Sequence, residues 1–119
     1  MRSLTEAASA VLSTFGKRKV VYVNFLTEIQ PECDCMPGAD VPMVQDLGIL
    51  VSDDLVAVEQ ASMDMIRSAK PLPGSAASDR GIASGQDILA EFHKKPYYLQ
   101  IEEAERLGLG SRKYDIIDI

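Results

Sequence analysis

Leu4, Ala7, Ala8, Val11, Leu12 and Phe15 recur at three- and four-residue intervals, the spacing of one helix face, and Gly16 follows where a helix ends. This predicts a helix over about residues 4–15. The stretch "KVVYVNFLTEI" (19–29) is β-branched, aromatic and almost wholly apolar up to Asn24, which reads as a strand buried on both faces. "QPECDCMPGADVPM" (30–43) breaks the pattern with three prolines and a glycine, and reads as a loop of restricted shape. "DLGILVS" (46–52) predicts a second strand. The helix after it has Ser52, Asp53 or Asp54 as its cap and Leu55, Val58, Met65, Ile66 and Ala69 as its apolar stripe. Residues 71–85 form a Pro/Gly/Ser/Ala loop, and 86–93 a short helix. "PYYLQIEEAERLGLG" reads as a further helix, begun by Pro96 and ended by Gly108 or Gly110. "KYDIIDI" (113–119) predicts a closing strand.

That order implies an α/β fold: a small sheet of about three to four strands, in two or three layers, covered by about three helices. The 119 residues suit a single α/β domain with a real core, and 46% apolar and 25% charged residues are an ordinary folded mixture. A net charge of −6 argues against nucleic acid or an anionic membrane as partner. The basic runs Lys17-Arg18-Lys19 and Lys94-Lys95 are short and read as solvated surface. No targeting segment or bilayer-spanning run is visible, and two cysteines cannot frame a disulfide mini-protein. The expectation is a cytoplasmic protein with reduced thiols.

Both cysteines fall in one stretch, "PECDCMPGAD" (31–40), and three readings are open for them. They can be small buried residues, although Glu32, Asp34, Pro31 and Pro37 are poor core neighbours. They can be a redox pair or nucleophile, although nearby carboxylates raise a thiol's pKa and a Cys-x-Cys bridge is tight. Or they can bind a metal ion or an iron–sulfur cluster, since a cation makes thiolates and carboxylates favourable neighbours. Two ligands do not complete a tetrahedral site, so Asp34, Asp40, Asp46, His93 or the same loop of a second chain are candidates for the rest. Asn24 can orient the loop through its backbone. Gln60 and Asp64, four apart on one helix, and Asp53 or Asp54 at its start form a second polar group near a strand end, where α/β sheets often place ligands, although a capped, solvated helix face is the plainer reading.

"NFLTEIQPECDC", "PMVQDLGILVSDDLVAVEQASMDMI", "PLPGS" and "EEAERLGLGSRKYDIIDI" together resemble the C-terminal half of domain-of-unknown-function family number 362. Asn24, Phe25, Glu32, Cys33, Asp34, Cys35, Asp46, Gly48, Asp54, Gln60 and Asp64 match its pattern, while Gln45 and Leu55 stand where proline is usual. The resemblance implies association with iron–sulfur ferredoxin modules. The ferredoxin motif Cys-x-x-Cys-x-x-Cys-x-x-x-Cys-Pro is not in these 119 residues, so the chain reads as a fragment of a longer member. The expected site is therefore Cys33 and Cys35 as thiolate ligands, with Asp34 and Asp46 as further ligands or supports. Asn24, Asp54, Gln60 and Asp64 would stand behind them. The alternatives are a scaffold that docks a ferredoxin-like module, with structural cysteines, and a thiol-redox protein. The narrow sheet also predicts a homo-oligomer.

Overall fold

The computed structural model describes residues 2–33 and 35–119. It has a mixed α/β fold of five helices and one two-stranded antiparallel sheet. In chain order these are α1 (Arg2–Leu12), β1 (Tyr22–Leu26), β2 (Gly48–Ser52), α2 (Leu55–Ser68), α3 (Ala76–Asp79), α4 (Ile88–His93) and α5 (Leu99–Arg106). The expected strand at 113–119 is not formed. Strand-like composition does not make a strand without a neighbour to pair with.

The chain divides into two compact units. The first comprises Met1–Asn24, Leu50–Ser62 and Tyr98–Ile119. Its core holds Val56, Val58, Ala61, Ile101 and Ala104, together with three polar residues, Thr5, Ser62 and Glu103. Helix α1 turns Thr5 inward and leaves Leu4 and Val11 more than 60% exposed. Of the stripe that predicts this helix, Ala8 and Leu12 are half-buried while Leu4, Ala7, Val11 and Phe15 are exposed. Thr5, Ala8, Ser9 and Leu12 form an adjacent face, and periodicity alone cannot say which of two neighbouring stripes packs.

Local chemistry explains the helix ends in this unit. Asp54 caps α2, its Oδ1 accepting the Ala57 N–H at 2.9 Å, while Ser52 Oγ accepts the Asp54 N–H at 3.0 Å. The other carboxylate oxygen accepts the Ser111 N–H at 3.0 Å. Gly110 lies so close to that carboxylate that any Cβ there would collide with it. Helix α5 ends in a Schellman motif: Leu109 N–H donates to Ala104 O and Gly108 N–H to Glu105 O, with Gly108 at φ +76°.

The second unit comprises Phe25–Ile49 and Met63–Tyr97. Met43, Val44, Ile66, Ala77, Ile88 and Phe92 form its core. The segment after α2 is held to the one before β2 by an antiparallel bridge between Val44 and Pro71 and by Leu72 N–H donating to Met43 O at 2.8 Å. Within the predicted 71–85 loop, Ser75 caps the short α3. Asp87 caps α4, its Oδ1 accepting from Leu89 and Ala90 at 3.1 Å each.

Strand β1 alternates rather than being buried on both faces: Leu26 is buried, while Val23 and Phe25 are exposed. In β2 the exposed residues include Ile49 and Val51. No helix among the described residues is long and apolar enough to cross a membrane.

Candidate functional site in the cysteine loop

Strand β1 runs into the cysteine loop, and three hydrogen bonds, two of them between backbone groups, close the loop at its base. Leu47 N–H donates to Leu26 O at 2.8 Å, Glu28 N–H to Asp46 Oδ1 at 2.9 Å, and Met43 N–H to Ile29 O at 2.8 Å. Pro31 is buried and Met43 is 1% exposed, so the loop is anchored at both ends by apolar contact as well. Glu28 and Asp40 adopt positive φ (49° and 71°), as does Gly38 (82°), which lets the chain reverse within a short span.

At the outer part of this loop, Met36 N–H donates to Cys33 O at 3.0 Å and closes a tight turn. The same turn brings the two cysteines together, Cys35 N–H donating to Cys33 Sγ at 3.4 Å. Both residues are exposed and neither is in a disulfide, which removes the reading of them as buried core residues. The Cys35 thiol is held above its ordinary value, first by its hydrogen bond with the Cys33 sulfur and then by desolvation. Glu28 and Glu32, with Thr27 and Gln30, line a polar cleft of about 340 Å³ in the same loop. No ion pair reaches Glu28, Glu32, Asp40 or Asp46 among the described residues.

The other predicted residues are dispersed. Asp34 lies outside the described residues. Asp46 fastens the loop base through Glu28, and Asp40 accepts the N–H of its own neighbour Val41 at 2.7 Å. His93 is exposed on the last turn of α4, edge-on to Phe92 at 5.1 Å. Among the described residues no three His, Cys, Asp or Glu side chains gather as a metal cage, so neither Asp46 nor His93 joins the two thiols in one.

Asn24 spends both amide protons on α2, donating to Glu59 Oε1 at 3.0 Å and Ser62 Oγ at 2.9 Å, rather than on the loop backbone. Asp54 is the helix cap described above. Gln60 is half-buried on α2. Asp64 pairs with Arg67 at 3.2 Å, and Arg67 also hydrogen-bonds Tyr97, whose hydroxyl donates to Asp87 Oδ2 at 2.6 Å. Burial and this bond to Asp87 hold the Tyr97 phenol above its usual value.

The sequence pattern marks Glu32 as a neighbour of the thiols but not Glu28. Glu28 and Glu32 are separated in the sequence by Ile29, Gln30 and Pro31, and only the fold sets them along one cleft. A second concavity, an apolar groove of about 200 Å³ in the first unit, is lined by Val56, Ile101 and Ala104 with Glu59 and Gln100 as polar groups, and holds none of the predicted site residues.

No curated protein and no solved structure matches the chain. One family does match, over residues 1–64, which takes in α1, both strands, the whole cysteine loop and most of α2. The match lies in the N-terminal part of the chain. This corrects the expectation of a likeness to a C-terminal part that continues to residue 119. Since it spans 64 of the 119 residues, the chain belongs to the family described as Domain of unknown function (DUF362).

Proposed function

We propose that the cysteine loop is half of a site for a soft metal ion or an iron–sulfur cluster in a redox-associated protein. One observation carries the reading: two exposed thiols share a single turn, close enough for a Cys35 N–H to Cys33 Sγ bond, on a loop whose carboxylates have no cationic partner among the described residues. Neutral thiols tolerate such surroundings, and thiolates become favourable there once a cation sits between them. Thiolate donors select zinc, copper(I) or iron–sulfur centres over magnesium or calcium.

In this reading Cys33 and Cys35 supply two ligands, and Asp34 is a third candidate. Asp46 supports them by fixing the loop base through Glu28. Asn24 acts at one remove, by tying β1 to α2. The remaining donors come from outside the turn: another chain, or a ferredoxin-like module of the kind the family resemblance implies. A metal centre held this way would supply electron transfer or Lewis acidity. Reduced thiols accord with a cytoplasmic setting.

Metal analysis of anaerobically purified protein, with Cys33→Ser and Cys35→Ser beside it, tests the proposal. Zinc, copper or iron in fixed ratio to the chain, lost from each variant, is the expected result. Metal-free wild-type protein with unchanged variants sinks it. A two-mass-unit difference between oxidised and reduced protein would mark a Cys33–Cys35 disulfide and turn the reading toward thiol redox chemistry.

A scaffold role is the second reading, favoured by the apolar side chains left exposed on the strands, Phe25 at 66% and Val51 at 65%. Here the cysteines would be structural and the occupant would be a ferredoxin-like module.

A further inference from the structure

The sheet has only two strands, so each has one edge whose backbone groups face no other strand among the described residues. In the first unit the β1 stretch Tyr22–Asn24 presents such an edge beside apolar side chains that are open to solvent. Val21 is 65% exposed and Val23 47%. Immediately before it stand Lys17, Arg18 and Lys19, which line a polar cleft of about 410 Å³ together with Tyr22. Arg18 is taken by Asp53, its Nη2 at 2.9 Å from Oδ2, whereas Lys17 and Lys19 make no ion pair among the described residues.

The same unit holds a segment of complementary chemistry. Residues 113–119, "KYDIIDI", have the composition of a strand but form none. Ile116 and Ile117 are 51% and 83% exposed, with Asp115 and Asp118 on either side of them. A strand-forming segment with apolar and acidic positions thus meets, in one chain, an apolar edge preceded by spare lysines. Backbone ladder bonds would supply the affinity, and the lysine–aspartate match the register.

We propose that residues 113–119 of a second copy add as a third strand along the β1 edge, with Asp115 and Asp118 set against Lys17 and Lys19. A two-fold axis makes the exchange reciprocal, so each copy gives a segment and receives one. Each copy then covers its isoleucines and ends one exposed edge. The proposal is independent of the metal reading.

Sedimentation equilibrium of the full chain over a wide concentration range tests it, with circular dichroism to show that each variant is folded. The wild type should dimerise, less tightly as salt is raised. Ile117→Asp should weaken the dimer by about tenfold or more, since it puts a charge on an apolar contact. Lys17→Glu with Lys19→Glu should weaken it by about tenfold. Adding Asp115→Lys and Asp118→Lys to that double variant should restore it, which a merely destabilised chain could not do. A wild type that stays monomeric overturns the proposal. So does a dimer that Ile117→Asp leaves intact, or charge reversal without restoration.

Discussion

Around α5 every carboxylate has its cation. Arg106 forks onto Glu103 with bonds of 2.6 and 2.9 Å, Arg2 approaches the same group at 3.9 Å, and Arg112 reaches both Glu102 and Glu105. In the cysteine loop Glu28, Glu32, Asp40 and Asp46 have no such partner among the described residues. Both regions are acidic in sequence, but only one has its charge settled internally. Matched charge is what a structural network needs, whereas unmatched charge beside two exposed thiols leaves room for a cation from outside. Variants should therefore cost stability in the first region and binding in the second.

The largest loss of stability is expected at Asp54, the meeting point of the first unit. One carboxylate oxygen caps α2 and the other holds the Ser111 N–H. Asp54→Ala should cost about 2 kcal/mol, roughly half from the lost cap and half from the orphaned N–H, measured by urea unfolding. Gly110→Ala should destabilise as well, because the new methyl group collides with that carboxylate. If Asp54→Ala unfolds with the wild-type midpoint, the segment after α5 is not anchored there.

Glu103 gives the next effect, and its sign depends on pH. Its salt bridge to Arg106 holds the carboxyl below its ordinary value of 4.5, against the opposing pull of desolvation, so the folded chain binds that proton more weakly than the unfolded chain does. The stabilisation is complete above that ordinary value and disappears as pH falls through the lowered one. Glu103→Gln should therefore destabilise the chain at neutral pH and much less in strong acid, which narrows its gap from wild type as pH falls. A gap of constant size across the acid range would mean that packing, and not charge, is what the substitution removes.

These caps and clamps show how much of the fold could be read without coordinates. Local backbone chemistry narrowed the cap of α2 to Ser52, Asp53 or Asp54 and the end of α5 to Gly108 or Gly110, and the fold takes Asp54 and Gly108. The α/β class followed from the order of periodic segments. Which side of a segment is buried depends on partners distant in sequence, and there the pattern misled. Thr5 sits in the core while Leu4 does not, Phe25 of an apparently two-sided strand is exposed, and residues 113–119 remain without a ladder. For the site, clustering of the cysteines was legible, and so was the oddity of carboxylates around them. The role of Asn24 was not, because its partners Glu59 and Ser62 lie 35 and 38 residues away.

A smaller effect belongs to the exposed pair Arg18–Asp53, 84% and 48% exposed at the side chains. Asp53→Asn should cost no more than about 0.5 kcal/mol, since solvent screens such pairs. Arg18 itself sits at φ +58°, where glycine is at ease. Arg18→Gly should thus offset the lost pair and leave stability close to wild type, read from the same urea transition. A loss well beyond that of Asp53→Asn would show that the arginine stem packs on its surroundings.

The smallest effect on folding is expected at Cys33 and Cys35, and it bears most directly on the contrast between the two regions. Each side chain is exposed, and the Cys35 backbone N–H reaches the Cys33 sulfur, a weak acceptor, at 3.4 Å. Replacing either by serine in metal-free protein should move stability by less than about 0.5 kcal/mol. The loop's shape rests on Asp46, Ile29 and Met43 instead, none of which the substitutions touch. If the cysteines cost nothing to lose in the apo protein yet each removes the metal, the loop is a site held up by its surroundings. If serine at either position unfolds the chain without metal present, the thiols are structural and the unmatched carboxylates around them need another explanation.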